Sequence, residues 1–196
     1  METDEVGALA ALKRHREHVF DPTVLAHHGR VVKLIGDGTL VEFSSVIDAV
    51  NCAVAVQRAG ASIPNADKSP PPIILRIGIN LGDVIVEGDD IYGDGVNIAA
   101  RLEPLAEPGG VCVSSVVHES VSNRVDVAFE DGGEVNIKNI HRRIHIWTWH
   151  PRDVAPAAQR FYTPSFVPQK NQSSIAVLPY TNMSGYPEQD YFSWYD

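Results

Sequence analysis

Six residues have types and spacings that could do chemistry together. Lys33 and Asp37 lie four apart in VVKLIGDGTLVEF, where two apolar runs flank Gly36-Asp37-Gly38. Asp90 lies in a second glycine-bearing stretch, DDIYGDG, and Asn97 and Arg101 follow it four apart in VNIAARLEPLA. Lys138 stands in VNIKNI. A hard divalent cation takes carboxylate oxygen. A triphosphate takes lysine or arginine. A purine edge takes one donor and one acceptor. Two acids, one amide, one arginine and two lysines therefore suit a nucleoside triphosphate held with a metal ion. Each residue also has a plainer account on its own. Gly-Asp-Gly is a common turn, Asn97 could cap or face solvent, Arg101 could be a surface charge, and Lys138 could be a strand-edge lysine.

The elements that would position these residues follow from periodicity. Asp4 to His18 has helical spacing, with Val6, Leu9, Leu12 and Val19 near one face and Lys13, Arg14 and Arg16 late, where cations suit the helix dipole. DPTVLAHHG reads as a shorter helix stopped at Gly29. RVVKLI and TLVEF read as strands around the Gly36-Asp37-Gly38 turn. Ser45 to Ala59 is an amphipathic helix with a serine cap. GASIPNADKSPPP is a loop by its composition. IILRIGINLGDVIVEG gives two strands broken at Leu81-Gly82. DDIYGDG reads as a polar loop feeding the helix that carries Asn97 and Arg101, whose side chains share a face. A short strand VCVS, a short helix SVVHESV and two closing strands complete the pattern. This order predicts an α+β, ferredoxin-like arrangement: a mostly antiparallel sheet with helices on one face.

After His150 the texture changes. Residues 151–172 are rich in Pro, Ser, Ala and Gln and read as a linker. SIAVLPYTNMSG then reads as one apolar strand and a loop, and a strand without partners is no independent domain.

Bulk properties narrow the function classes. A net charge of −9 argues against a nucleic-acid binder. No apolar run approaches the roughly 20 residues of a membrane span, and the charged N-terminus is no secretory signal, so the chain reads as soluble and cytoplasmic. Cys52 and Cys112 stand far apart in apolar surroundings and read as buried, reduced thiols. No Cys/His zinc spacing occurs.

VVKLIGDGTLVEF, ILRIGINLGDVIVEGDDIYGDGVNIAARLEPLAEPGGVCVS and VNIKNI, in that order, resemble the catalytic domain of class III adenylate/guanylate cyclases over residues 1–150. More narrowly, they are similar to soluble bacterial cyclases in which a TolB-like region follows the cyclase domain, and residues 173–196 resemble its start. The resemblance implies a cyclase fold and conversion of ATP to 3′,5′-cyclic AMP and pyrophosphate. It places Asp37 on a metal-binding aspartate. Lys33 and Asp90 match the pair that reads adenine, Lys to ring N1 and Asp to the exocyclic amine, which points to ATP over GTP. Asn97 matches the residue that orients the ribose, and Arg101 the arginine that stabilises charge on the α-phosphate. Lys138 matches the lysine on the terminal phosphates. Two Mg2+ or Mn2+ ions would assist in-line attack of the 3′-oxygen. The family's site lies between two subunits, implying a homodimer, or a heterodimer with another cyclase chain.

One feature of the family has no counterpart in residues 1–196. Its first metal aspartate sits on an opening central strand before the first helix, whereas METDEVGALAALKRHR already reads as helix. The expectation is a sheet one strand short, with exposed polar edges, and a metal site one carboxylate short. A non-catalytic nucleotide-binding or dimerisation module that regulates another cyclase is the alternative function.

Overall fold

The computed structural model describes residues 2–35, 38–61, 73–137, 143–151 and 174–179. Asp37, Lys138, most of the expected linker and residues 180–196 lie outside the described residues.

The chain enters on α1 (Glu2–His15), one stretch of π-helix (Arg16–Phe20) and α2 (Asp21–Ala26). Its buried positions are Ala11, His15, Phe20 and Val24, spaced four, five and four apart. The five-residue step falls on the π turn, which inserts one residue and keeps both helices' buried sides on the core. Pro22 accounts for its place: proline has no N–H, and in an unbroken α-helix its ring would meet the His18 carbonyl. The stripe expected from plain helical spacing shifts accordingly. Leu9 is exposed, while Leu12 packs against the core.

Strands β1 (Gly29–Ile35) and β2 (Gly38–Phe43) form the expected hairpin. Helix α3 (Val46–Ala61) begins as expected, with Asp48 N–H donating to Ser45 Oγ at 3.3 Å. Then follow β3 (Ile77–Leu81), the small hairpin β4 (Ile85–Glu87) and β5 (Asp90–Tyr92), and α4 (Asp94–Leu102). The chain continues through β6 (Val111–Ser114), α5 (Ser115–Val121), β7 (Glu130–Val135) and β8 (Ile144–Trp149).

The sheet is not a strand short among the described residues. Segment β9 (Ser174–Pro179) lies between β2 and β3, giving the order β1-β2-β9-β3-β6-β8-β7. It runs antiparallel to both neighbours: Ala176 pairs with Val41 on one side and Ile79 on the other. The segment expected to stand without partners thus has two. SIAVLP carries no charge and bears its proline only at the end, so it can satisfy polar edges on both sides. Only β3 and β6 pair in parallel, so the sheet is mostly antiparallel as expected.

Alternation along the strands sorts the core into two layers. Val41, Phe43, Ile77, Ile79, Val111 and Val113 pack with residues of α3 and α5. Leu40 packs with Ile91 and Ala99, and Cys112 with Ile98 and Leu102. Helices α2, α3 and α5 therefore share one face, while α4 lies on the other. Gly78 permits that approach: a Cβ there would sit 2.4 Å from both Ala99 O and Glu103 N. Among the described residues, no helix is long and apolar enough to cross a membrane.

Candidate functional site

Lys33 sits on β1, just past a register shift between Val31 and Lys33. Asp90 opens β5, a strand where the sequence reads as loop. Lys33 Nζ donates to Asp90 Oδ2 at 2.7 Å, and Ile91 N–H donates to Asp90 Oδ1 at 2.7 Å. The phenol of Tyr92 stands near the same carboxylate. The lysine, then the phenol, hold Asp90 below the ordinary carboxylate range, and the same carboxylate holds the Tyr92 hydroxyl above its own. Asp90 is thus anionic and Tyr92 protonated at neutral pH. Both members of the ion pair are about one-third exposed, so a ligand can reach them.

Arg30 fixes this corner, a contribution that its position in an alternating strand does not reveal. Its guanidinium grips Glu42 across the hairpin at 2.8 Å and donates to Asp89 O at 3.3 Å. The backbone leading to Asp90 is thereby tied to β1 and β2.

Asn97 and Arg101 stand one turn apart on α4, Asn97 exposed and Arg101 half-buried. Neither side chain has a hydrogen-bond or ion-pair partner among the described residues. The packing of Ile91 on Ala99 brings β5 against α4, so the Lys33–Asp90 pair and the Asn97/Arg101 pair occupy adjoining elements. No hydrogen bond or ion pair links one pair to the other among the described residues.

The start of α4 is set by residues that the sequence reading passed over. Gly93, at φ 130°, turns the chain into the helix, and its carbonyl accepts from the N–H groups of Val96 and Asn97. Asn80, buried in β3, donates from Nδ2 to Gly95 O at 3.2 Å, and its Oδ1 accepts from Ser114 Oγ at 2.8 Å. A polar amide inside the apolar run IGINL was the available signal. A cleft of about 470 Å³ opens here, its lining including Asn80, Asp83, Asp94, Arg143 and His145. None of the four described candidates, Lys33, Asp90, Asn97 and Arg101, lines it. Asn97 is exposed, and the other three are partly buried outside that cleft.

Ile35 pairs with Gly38 at the hairpin's end. Asp37 and Lys138 lie outside the described residues. Among the described residues, no group of three or more His, Cys, Asp or Glu could hold a metal ion. Asp37 with phosphate oxygens has the right donor chemistry for one hard divalent ion. The central strand β9, SIAVLP, offers no second carboxylate. Cys52 and Cys112 are buried and free, as expected.

The family model for the adenylate and guanylate cyclase catalytic domain matches residues 4–150. A Rhizobium meliloti (strain 1021) protein named "Putative adenylate cyclase 3" is 49% identical over 195 residues, covering 98% of this chain and 33% of that protein. The chain thus spans about a third of that relative's length. A crystal structure of an adenylate/guanylate cyclase/hydrolase from Silicibacter pomeroyi is 41% identical, with a TM-score of 0.72, over 75% of this chain and 86% of that one. The adenylyl cyclase CyaB of P. aeruginosa, 20% identical with a TM-score of 0.58 over 75% of this chain and 85% of that one, shares the fold. The chain belongs to the adenylate and guanylate cyclase catalytic domain family.

Proposed function

We propose that residues 1–150 form an adenylate cyclase domain that converts ATP to 3′,5′-cyclic AMP and pyrophosphate, with residues 151–172 a linker and residues 173–196 the start of a TolB-like region whose first strand, β9, joins the cyclase sheet. The observation that carries this reading is the 2.7 Å Lys33–Asp90 contact, which sets a donor and an acceptor side by side on an accessible surface. Adenine presents an acceptor at N1 and a donor at its 6-amino group, the complement of that pair. Asn97 orients the ribose. Arg101, half-buried with no anionic partner among the described residues, compensates the charge that develops on the α-phosphate as the 3′-oxygen attacks and pyrophosphate leaves. Lys138 holds the terminal phosphates. Asp37 and the phosphate oxygens would hold Mg2+ or Mn2+, which supplies charge neutralisation when bound.

The placement of these groups outside the cleft supports a site completed by a second chain. Leu34, Ile85, Val86 and Tyr92 add exposed apolar surface around the pair, fit for burial in a homodimer. The composition of β9 favours a second reading, a nucleotide-binding or dimerisation module that acts on another cyclase without turnover. The resemblance puts the partner carboxylate of Asp37 on a central strand, and β9 has none.

The test is cyclic AMP formation by the purified chain with ATP and Mn2+, beside Asp37→Ala. Product that vanishes in the variant supports turnover. Saturable ATP binding without product supports the module instead, and neither product nor binding overturns both.

A further inference from the structure

Tyr92 takes part in two contacts at once. Its ring lies under the ammonium of Lys33, 4.9 Å from Nζ to the centroid, and the Asp90 carboxylate holds its hydroxyl above the ordinary phenol range. Tyr92 stands on β5 opposite Ile85 of β4, and 46% of it is exposed, so it is no core side chain kept for its burial.

A lysine and an aspartate alone make an ambiguous reader of purines. Adenine offers acceptor N1 beside a donor amine; guanine offers donor N1–H beside acceptor O6. A pair free to swivel about its own ion contact could read guanine by exchanging places, ammonium to O6 and carboxylate to N1–H. Lysine is well able to do so, being a compact charge on a flexible four-carbon stem. Selectivity therefore requires that the order of donor and acceptor be fixed, which is a matter of rejecting the wrong partner as much as holding the right one.

The three contacts at this corner impose that order. Asp90 Oδ1 is pinned by its neighbour's N–H at 2.7 Å and Oδ2 by Lys33 at 2.7 Å. The ammonium is drawn to the ring face by the cation–π attraction, which opposes its swing to the far side of the carboxylate. Lys33 keeps donors to spare for N1, and Asp90 keeps lone pairs for an amine. We propose that Tyr92 is a positioning residue that sets nucleobase selectivity by locking the order of the Lys33 donor and the Asp90 acceptor.

The inference rests on Lys33 and Asp90 reading the base, and its test separates the two. The full chain is titrated calorimetrically with 3′-deoxy-ATP and 3′-deoxy-GTP in Mg2+; these lack the attacking hydroxyl and are not consumed. Wild type is compared with Tyr92→Phe, Tyr92→Leu and Lys33→Glu. The expected result is a preference for the adenine nucleotide that falls about tenfold in Tyr92→Leu, the size of one well-placed polar contact. Tyr92→Phe, which keeps the ring and loses the hydroxyl, falls part of the way. The loss should come mainly from tighter guanine binding, whereas a merely structural defect would weaken both nucleotides alike. If Lys33→Glu abolishes the preference while both Tyr92 variants keep it, the role of Tyr92 is overturned and the base-reading pair stands. If Lys33→Glu also leaves the preference intact, or if wild type binds neither nucleotide, the pair itself is wrong and the inference falls with it.

Discussion

Lys33 and Asp90 are 57 residues apart in the chain and 2.7 Å apart in space, joined across β1 and β5. The contact couples the large sheet to the small β4–β5 hairpin, and Arg30 makes a second tie between the same two parts. Such exposure keeps the ion pair's own stabilisation small. On the proposed reading, its complementarity to adenine gives it a greater part in binding than in folding.

Asp90→Asn should therefore spare the fold and damage recognition. The amide keeps an oxygen for one donor but loses the charge that gathers Lys33 and Ile91 N–H. Hydrogen bonds to a charged group are stronger than those to a neutral one. The expected outcome is an adenine-nucleotide affinity lowered about tenfold or more, with the thermal midpoint nearly unchanged. Calorimetric titration beside a thermal melt checks both.

Gly78→Ala should do the reverse. Its Cβ would lie 2.4 Å from two backbone atoms of the α4 segment, Ala99 O and Glu103 N, which cannot rotate away. Helix α4 must shift or the strand must bend. Overpacking of this kind costs about 1–3 kcal/mol. Urea unfolding should show a lower midpoint, and nucleotide binding should weaken because Asn97 and Arg101 ride on the displaced helix.

The hairpin around Asp37, the serine-capped α3 and the helix of Asn97 and Arg101 were legible because periodicity and caps are local signals. Three features were not. Asp90 looked like loop because β5 is only three residues long and contains glycine neighbours; its strand character comes from pairing with β4. The π turn at Arg16–Phe20 shifted the buried face of the entry helices by one position, which a fixed 3.6-residue period cannot register. The third is β9. Its sequence says strand, but nothing local says which strands flank it, because partners at Val41 and Ile79 lie far back along the chain.

Asn80→Ala should expose the cost of the buried network at the head of α4. The amide is the acceptor for Ser114 Oγ and the donor to Gly95 O. Truncation takes the acceptor from the buried Ser114 hydroxyl and one of two donors from Gly95 O, at about 1–3 kcal/mol. Hydrogen exchange should accelerate first at the N–H groups of α4's opening turn. Uniform acceleration across the sheet would instead mean that the network supports the core at large.

The two thiols give a pH dependence with a definite sign. Burial, with the Asp48 charge adding to it, pushes Cys52 up to about 12; burial alone pushes Cys112 up to about 12. Both stay protonated in the folded chain where the unfolded chain ionises them, above about pH 9. The folded state then binds more protons, so stability is full below that pH and declines as pH rises from about 9 toward 12. Urea midpoints taken at about pH 8 and about pH 10 should differ, and less so in a Cys52→Ala/Cys112→Ala chain. Native thiols should also resist alkylation at neutral pH, since the reactive form is the thiolate.

Ala176→Pro tests whether the central position of the sheet depends on β9. Ala176 pairs on both sides, with Val41 and Ile79, and a proline there removes an N–H and sets its ring against a neighbouring strand. Were β9 an edge strand, proline would be tolerated; between β2 and β3 it is not. The strand would be expelled, leaving facing polar edges open to water or to another chain. The expected loss is about 2 kcal/mol or more. It should be accompanied by faster hydrogen exchange in both β2 and β3 and by a concentration-dependent tendency to aggregate. An unchanged unfolding midpoint with unchanged exchange would mean that these two strands do not rely on Ser174–Pro179 in solution.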